Sequence, residues 1–245
     1  MKMQQILSPM RRAIEDFDMI SAGDRIAVGL SGGKDSSSLL CALKSFQKFS
    51  PKPFELAAVT IDIGMGSDYS SMSELCERLE VPYFLEKTDI GEIIFNVRKE
   101  SNPCSLCSKM RRGALCSVLQ REGYNKLAYA HHADDVAETF LMSLFYEGRL
   151  NTFKPVSKMS RSGITLIRPF VYANEKDIVS LCKEENIPIV ENACPANHQT
   201  NREYMKQLIK KLDVDSKYIA SSSLKKALFN PERNSLWPEK DKKDS

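Results

Sequence analysis

Nowhere in these 245 residues is there an apolar run long enough to cross a membrane. The opening "MKMQQILSPMRRAIEDFDMI" puts Pro9 and several charges where a secretory signal needs unbroken apolar sequence, so a soluble, cytoplasmic protein is expected. An excess of one charge is lacking as well. Against 35 Lys and Arg stand 32 Asp and Glu, so any surface built for a polyanion has to be local. No internal repeat is present. Two familiar phosphate signatures are missing from the segment that most resembles them, "VGLSGGKDSSSLL" at 28–40. Only three residues separate Gly29 from Gly33 where a Walker loop needs four, and Asp35 follows Lys34 where that loop carries Ser or Thr. Nor does the segment contain the Gly-x-Gly of a dinucleotide site. Seven cysteines, an odd number with no secretory signal, favour reduced thiols or metal ligands over disulfides.

What the segment does contain is the order strand, turn, helix start: "RIAVGL", then glycines, then "SSSLLCALKSF". Unpaired N–H groups at a helix N-terminus form an anion site, and glycine lets an oxyanion come close to the backbone. The candidate contacts are Ser31, Gly32, Gly33, Lys34, Asp35 and Ser36. Along the chain, "RIAVGL", "ELAAVTID", "PYFLE", "KLAYAHH" and "ITLIRPF" read as strands with amphipathic helices between them. That alternation predicts an α/β fold, a doubly wound, mainly parallel sheet flanked by helices, with helical extensions at both ends. Ligands in such folds gather beyond the carboxyl ends of the strands. "SGGKDS", Asp62 at the end of "VTID", and His131 in "AHHADD" should all arrive there. Asp89 with Glu92, and Asn174 with Asp177, have the spacing of helix capping boxes. The expected organisation is a helical segment over 1–20, the α/β domain over 21–212, and a C-terminal helix and polar tail over 213–245.

The cysteines divide into two groups. Cys41, Cys76, Cys116 and Cys182 sit among apolar neighbours at helical spacing and read as small core residues. Cys104 and Cys107 form a C-x-x-C at the mouth of a helix behind Asn-Pro, and Cys194 lies in the loop "VENACPANHQ". Three thiolates leave two metal readings open. With His198 they make a closed Cys3His zinc site; without a fourth protein ligand they suit a 4Fe-4S cluster with one iron open to chemistry. Asp134 and Asp135 begin a helix on which Asp134 and Glu138 border a stripe of Ala137, Leu141, Leu144 and Phe145, while Asp135 points further toward solvent. Acids in a first turn suit the helix dipole whatever the function, and they also suit magnesium; both readings stand. Of His131 and His132, one is expected buried and the other facing the site. Basic residues Lys109, Arg111, Arg112 and Arg202 flank the thiols, where an incoming polyanion would meet them.

Taken together, "SGGKDS", "CSLCSKMRRGAL", "HHADDVAETFLMSLFYEGRL", "LIRPF", "EKDI" and Cys194 resemble the PP-loop ATP pyrophosphatase superfamily and, within it, the tRNA 2-thiocytidine synthetase (TtcA) family, from about residue 20 to about 212. The resemblance implies that the loop grips the pyrophosphate of ATP. It also implies a 4Fe-4S cluster on Cys104, Cys107 and Cys194, and adenylation of the C2 oxygen of an anticodon-loop cytidine before sulfur replaces it. Lys34 and Mg2+ would offset charge on the pyrophosphate, Asp134 or Asp135 would bind magnesium or act on protons, and Arg111 would steady the adenylated intermediate. The partners so implied are tRNA, a sulfur donor such as a cysteine desulfurase, and a second copy in a homodimer. Two departures stand out: "GMGSDYSSMSEL" replaces a longer loop, and the third ligand's usual C-x-x-C appears as "NACPAN". The rival readings are a relative thiolating another substrate, adenylation without sulfur transfer, and a cluster-bearing ATP sensor that catalyses nothing.

Overall fold

A computed structural model describes residues 2–98, 103–190, 201–217, 219–230 and 232. Its first strands alternate with helices as the apolar pattern predicts: α1 (Lys2–Asp16), β1 (Arg25–Gly29), α2 (Lys34–Gln47), β2 (Glu55–Asp62), α3 (Ser70–Arg78) and β3 (Tyr83–Lys87). There follow α4 (Ile90–Glu92), a π-helical turn (Ile93–Val97), α5 (Pro103–Arg121), β4 (Lys126–Ala128), α6 (Ala133–Glu147), β5 (Val156–Lys158), β6 (Thr165–Ile167), α7 (Glu175–Glu184), α8 (Asn201–Asp215) and α9 (Ala220–Phe229). The chain divides into two compact units, Met1–Ala133 with Lys154–Gln199, and Asp134–Phe153 with Thr200–Ser245.

The first unit holds the six-stranded sheet, in the order β3-β2-β1-β4-β6-β5. All pairings are parallel except β5 with β6. This is the expected doubly wound α/β sheet, with the order reversing between β1 and β4. The crevice where a ligand belongs therefore opens beyond Gly29 and Ala128. The central strands are buried on both sides, as parallel strands covered by helices must be. On one face Ala27, Ala57, Val59, Ile61 and Leu127 meet Leu115, Val118 and Leu119 of α5. Helices α1, α2 and α7 pack on one another and bring in Ile6, Met10, Leu39, Leu40, Leu43, Ile178 and Leu181, all at or near complete burial. Each such side chain contributes about 1.5–3 kcal/mol relative to exposure.

Four local expectations change. "KLAYAHH" and "ITLIRPF" keep only three residues each as strand, although Tyr129 N–H still donates to Ile167 O at 2.9 Å. Arg168 N–H likewise still donates to Pro155 O at 3.0 Å, one residue past the end of β6. β5 was not anticipated; "VSK" carries one apolar residue in three, too short for a period to register. Asp89 forms no cap, and the helix after it is wound into a π turn. Asn174 lies at the start of α7 in extended conformation, but its amide donates to the Asp177 carboxylate at 3.1 Å instead of capping a backbone N–H.

Within the second unit, Ala137 and Leu141 of α6 are buried, whereas Phe145, expected on the same stripe, is 59% exposed. Among the described residues no helix is long and apolar enough to cross a membrane.

Candidate nucleotide and thiol site

The loop after β1 is shaped by contacts that only small residues permit. A Cβ on Gly29 would lie 2.9 Å from the ring of Tyr129. Leu30 N–H donates to Val59 O at 2.8 Å, and Thr60 Oγ1 donates to Leu30 O at 2.7 Å, so the loop's first residue is clamped to β2. Gly32 has φ +82, and a Cβ there would come 2.8 Å from that of Val190, whose N–H donates to Gly32 O at 2.9 Å. Both the backbone angle and the approach exclude a side chain. At Gly33 an added Cβ would meet nothing closer than Ser31 Oγ at 3.6 Å, so space remains beside the helix start.

Ser36 ties the loop from inside. Its Oγ accepts from Ser31 N–H at 3.2 Å, donates to Gly33 O at 3.0 Å and lies 3.1 Å from Ser31 Oγ. Gly33 stands at the N-cap of α2 in extended conformation and offers no side-chain cap. The helix entrance thus presents backbone donors with their positive dipole end, the feature an anionic oxygen needs.

Lys34 sits between two carboxylates, 2.9 Å from Asp35 Oδ2 and 3.1 Å from Glu175 Oε1. Burial works against its ammonium, but Asp35 and Glu175 outweigh it and leave the pKa raised, so the charge is held. Glu175 belongs to "EKDI", a segment noted in the sequence without a role; only the fold brings it to the loop. The second oxygen of Asp35, Oδ1, is buried without a hydrogen-bond partner, and His132 Nε2 stands 3.9 Å away. A buried, unpartnered carboxylate oxygen beside a nucleotide-type loop fits a hard cation such as magnesium. Asp62 ends β2 as expected, with Oδ1 accepting from Gly64 N–H at 2.9 Å.

Beyond β4, His132 is the buried histidine and His131 the partly exposed one. The His131 ring stands edge-on to Tyr129 at 5.7 Å, and its Nδ1 accepts from Arg168 Nε at 3.1 Å. Arg168, of "LIRPF", is a residue that sequence reasoning passed over. It is 8% exposed, donates from Nη1 to Lys154 O at 2.6 Å, and its pKa is pushed down to about 10, chiefly by burial, with Arg112 adding to the effect. Burial and Cys116 raise the Tyr129 phenol, while Arg111, Arg112 and Arg168 pull the other way. Positive charge from three guanidinium groups therefore acts on the phenol that packs on Gly29.

Cys104 and Cys107 lie in the first turn and a half of α5, where a spacing of three sets them on neighbouring parts of one face. Cys104 is exposed; Cys107 is half-buried and packs with Leu106 and Met110 against the core. Arg111 follows Cys107 by one helical turn, as expected. The other four cysteines anticipated as core residues are buried. Cys194 and His198 lie outside the described residues, among which no three metal-ligating groups converge.

In the second unit, Asp134 Oδ1 pairs with Lys225 at 2.6 Å and Asp135 Oδ1 with Arg202 at 2.9 Å; Arg202 also lies 3.6 Å from the buried Glu138. Asp135 is therefore more covered than Asp134, its carboxylate 18% exposed against 27%, the reverse of the helical-wheel expectation. Arg202, read as a landing point for a polyanion, is engaged by acids.

The sequence matches the PP-loop domain family over residues 3–212. It is 41% identical to the tRNA-cytidine(32) 2-sulfurtransferase of Pelobacter propionicus over 223 residues, covering 89% of this chain and 82% of that one. Against the protein of the same name from Geobacter sulfurreducens it is 36% identical over 226 residues, covering 91% and 88%. Among solved structures, the U34-tRNA thiolase NcsA from Methanococcus maripaludis, determined with its [4Fe-4S] cluster, superposes with a TM-score of 0.71 at 23% identity, over 93% of this chain and 80% of that one. At that identity the likeness is one of fold.

Proposed function

The chain belongs to the PP-loop domain family and, within it, to the tRNA-cytidine(32) 2-sulfurtransferases, and from that premise we propose that it is an ATP-dependent tRNA sulfurtransferase converting an anticodon-loop cytidine to 2-thiocytidine. The observation that carries this reading furthest is the loop at 30–36, a backbone anion cradle with one held cation and one unpartnered carboxylate oxygen. We assign the work to residues 21–212, with a helical segment before and a C-terminal helix and tail after.

The chemistry asks for two displacements. In the first, the cytidine C2 oxygen bonds to the α-phosphorus of ATP as the α–β anhydride breaks and pyrophosphate leaves with the electron pair. In the second, reduced sulfur bonds to C2 as the C2–O bond breaks, and AMP departs with the original oxygen. A base carbonyl oxygen is a poor leaving group, and its attachment to AMP makes the second step feasible. The N–H groups of Gly32, Gly33 and the α2 entrance hold the departing pyrophosphate, with Ser31 and Ser36 keeping the loop in shape. Lys34 offsets charge that grows on the bridging oxygen. Asp35 offers Oδ1 to Mg2+, Asp62 lines the same sheet edge, and Asp134 and Asp135 serve magnesium or proton transfer once drawn from Lys225 and Arg202. His131 contacts the nucleotide, and Arg111 steadies the adenylated base beside the thiols. Cys104, Cys107 and Cys194 would hold the 4Fe-4S cluster, which when bound would present the donor's sulfur in reduced form. The exposed Cys104 and part-buried Cys107 fit this, since a cluster that meets a bulky RNA substrate needs an accessible edge.

The sulfur comes from a donor such as a cysteine desulfurase, whose persulfide sulfur takes two electrons from a thiol reductant to reach the reduced level the second step uses; the working form is a homodimer, and the reaction runs in the cytoplasm. Mass spectrometry of tRNA nucleosides from a deletion strain tests the reading. 2-Thiocytidine should vanish on deletion and return with the wild-type chain, but not with Cys104→Ala, Cys107→Ala or Cys194→Ala. Full modification by all three variants would leave adenylation without sulfur transfer; an unchanged nucleoside profile on deletion would leave a different substrate or a sensor.

A further inference from the structure

An arginine side chain has donors only, so its contact with a histidine nitrogen decides which way that ring is protonated. Arg168 Nε approaches His131 Nδ1 at 3.1 Å, and Nη1 is anchored on Lys154 O at 2.6 Å, which fixes the plane of the guanidinium. The side chain is 8% exposed, so water does not readily take over either bond. A proton on Nδ1 would set two N–H groups against one another. The His131 ring stands edge-on to Tyr129, and a flip about Cβ–Cγ would set Cδ2 in place of Nδ1 opposite Arg168 and forfeit that hydrogen bond. Arg111 and Arg112, together with Arg168, add positive charge around Tyr129.

We infer that Arg168 is a positioning residue that fixes His131 as the neutral Nε2–H tautomer, so that His131 serves the nucleotide site as a hydrogen-bond donor and not as a proton acceptor. The role given to Nε2–H rests on the placement of His131 in that site proposed above; the tautomer does not. A neutral donor suits an acceptor on ATP, a phosphate oxygen or a base nitrogen, without adding to the cationic charge already supplied by Lys34. It also removes His131 from the candidates for general base, leaving proton acceptance to the carboxylates.

The chain has three histidines, so long-range 1H–15N spectra of full-length protein are readily assigned, with His131→Gln marking the His131 signals. The wild-type protein without substrate should show His131 as one Nε2–H tautomer. In Arg168→Met the signals should move to a mixture of tautomers, and kcat/KM for ATP in pyrophosphate release should fall by up to about 100-fold. In Arg168→Lys, which keeps the charge but not the two-armed geometry, the fall should be smaller. A wild-type His131 carrying its proton on Nδ1 overturns the inference outright, and that measurement stands even if Arg168→Met does not fold. A pure Nε2–H signal retained in a folded Arg168→Met also overturns it and leaves Arg168 a packing residue. If the tautomer is as stated but no thiolated tRNA forms, the proposed function fails and this inference does not.

Discussion

Lys34 is held between Asp35 and Glu175 at 2.9 and 3.1 Å, an arrangement that keeps it charged and aimed without a substrate present. Two carboxylates on one ammonium also mean that a polyphosphate has to compete for it, and Mg2+ on Asp35 would loosen that hold. Lys34→Met should leave the fold intact, because the side chain is 29% exposed, and should lower pyrophosphate release at saturating ATP by about 100-fold or more. Stopped-flow pyrophosphate detection measures it. Gly32 is the complementary case. Gly32→Ala meets both a positive φ and Val190, so it should cost about 1–3 kcal/mol in thermal unfolding and weaken ATP binding measured by calorimetry. The same change at Gly33, where the added methyl finds room, should cost less stability.

At the level of elements, β4 is only three residues long and leans on a polar clamp at its start. Lys126 pairs with Asp24 at 2.6 Å and donates to Met19 O at 2.8 Å, while Asp24 also accepts from Ser21 N–H and from the Asn125 amide. Burial would raise the Asp24 carboxyl, but Lys126, Ser21 and Asn125 together leave it below its ordinary 3.8. A depressed folded-state value contributes stability above the unfolded value and loses it as pH falls through the folded one. Urea unfolding of wild type and Asp24→Asn should therefore differ by a constant amount from pH 7 to about pH 5, and the difference should shrink below about pH 3.8. Asp24→Ala leaves a buried ammonium and should cost about 3 kcal/mol at pH 7.

For the molecule as a whole, net charge is only +3, so under the proposed function attraction for tRNA would come from local groups, for which Lys109, Arg111 and Arg112 on α5 are the candidates. Binding of unmodified tRNA should weaken steeply with salt, and each of Lys109→Ala and Arg112→Ala should reduce the slope of log K against log salt by about one. Filter binding at several salt concentrations reads this directly. Anaerobically purified chain should be brown and carry about four irons, falling toward none in Cys194→Ala. Colourless protein with one zinc per chain would return the closed Cys3His site.

The order of strands and helices, the α/β class, the loop at 28–36 and the four core cysteines were legible along the chain, because each depends on neighbours a few residues apart. The truncation of β4 and β6 to three residues, the antiparallel β5 and the π turn after Asp89 were not, since three-residue runs carry no period and local winding leaves no mark in the sequence. Wheel geometry placed Asp135 outward and Phe145 inward, and the fold reversed both, because a helical wheel does not know where the neighbouring Arg202 will lie. Sequence by itself determined which chemistry-bearing residues exist, Cys104 and Cys107 among them, and that strand ends would carry Lys34, Asp35 and His131. Only the tertiary structure decided that Glu175 would reach Lys34, that Asp35 would keep one buried oxygen unpartnered, and that Arg168 would meet His131. Those contacts join residues from separate strand-to-helix connections, and what brings them within 3–4 Å is the packing of helices on a parallel sheet, not any pattern in the intervening sequence.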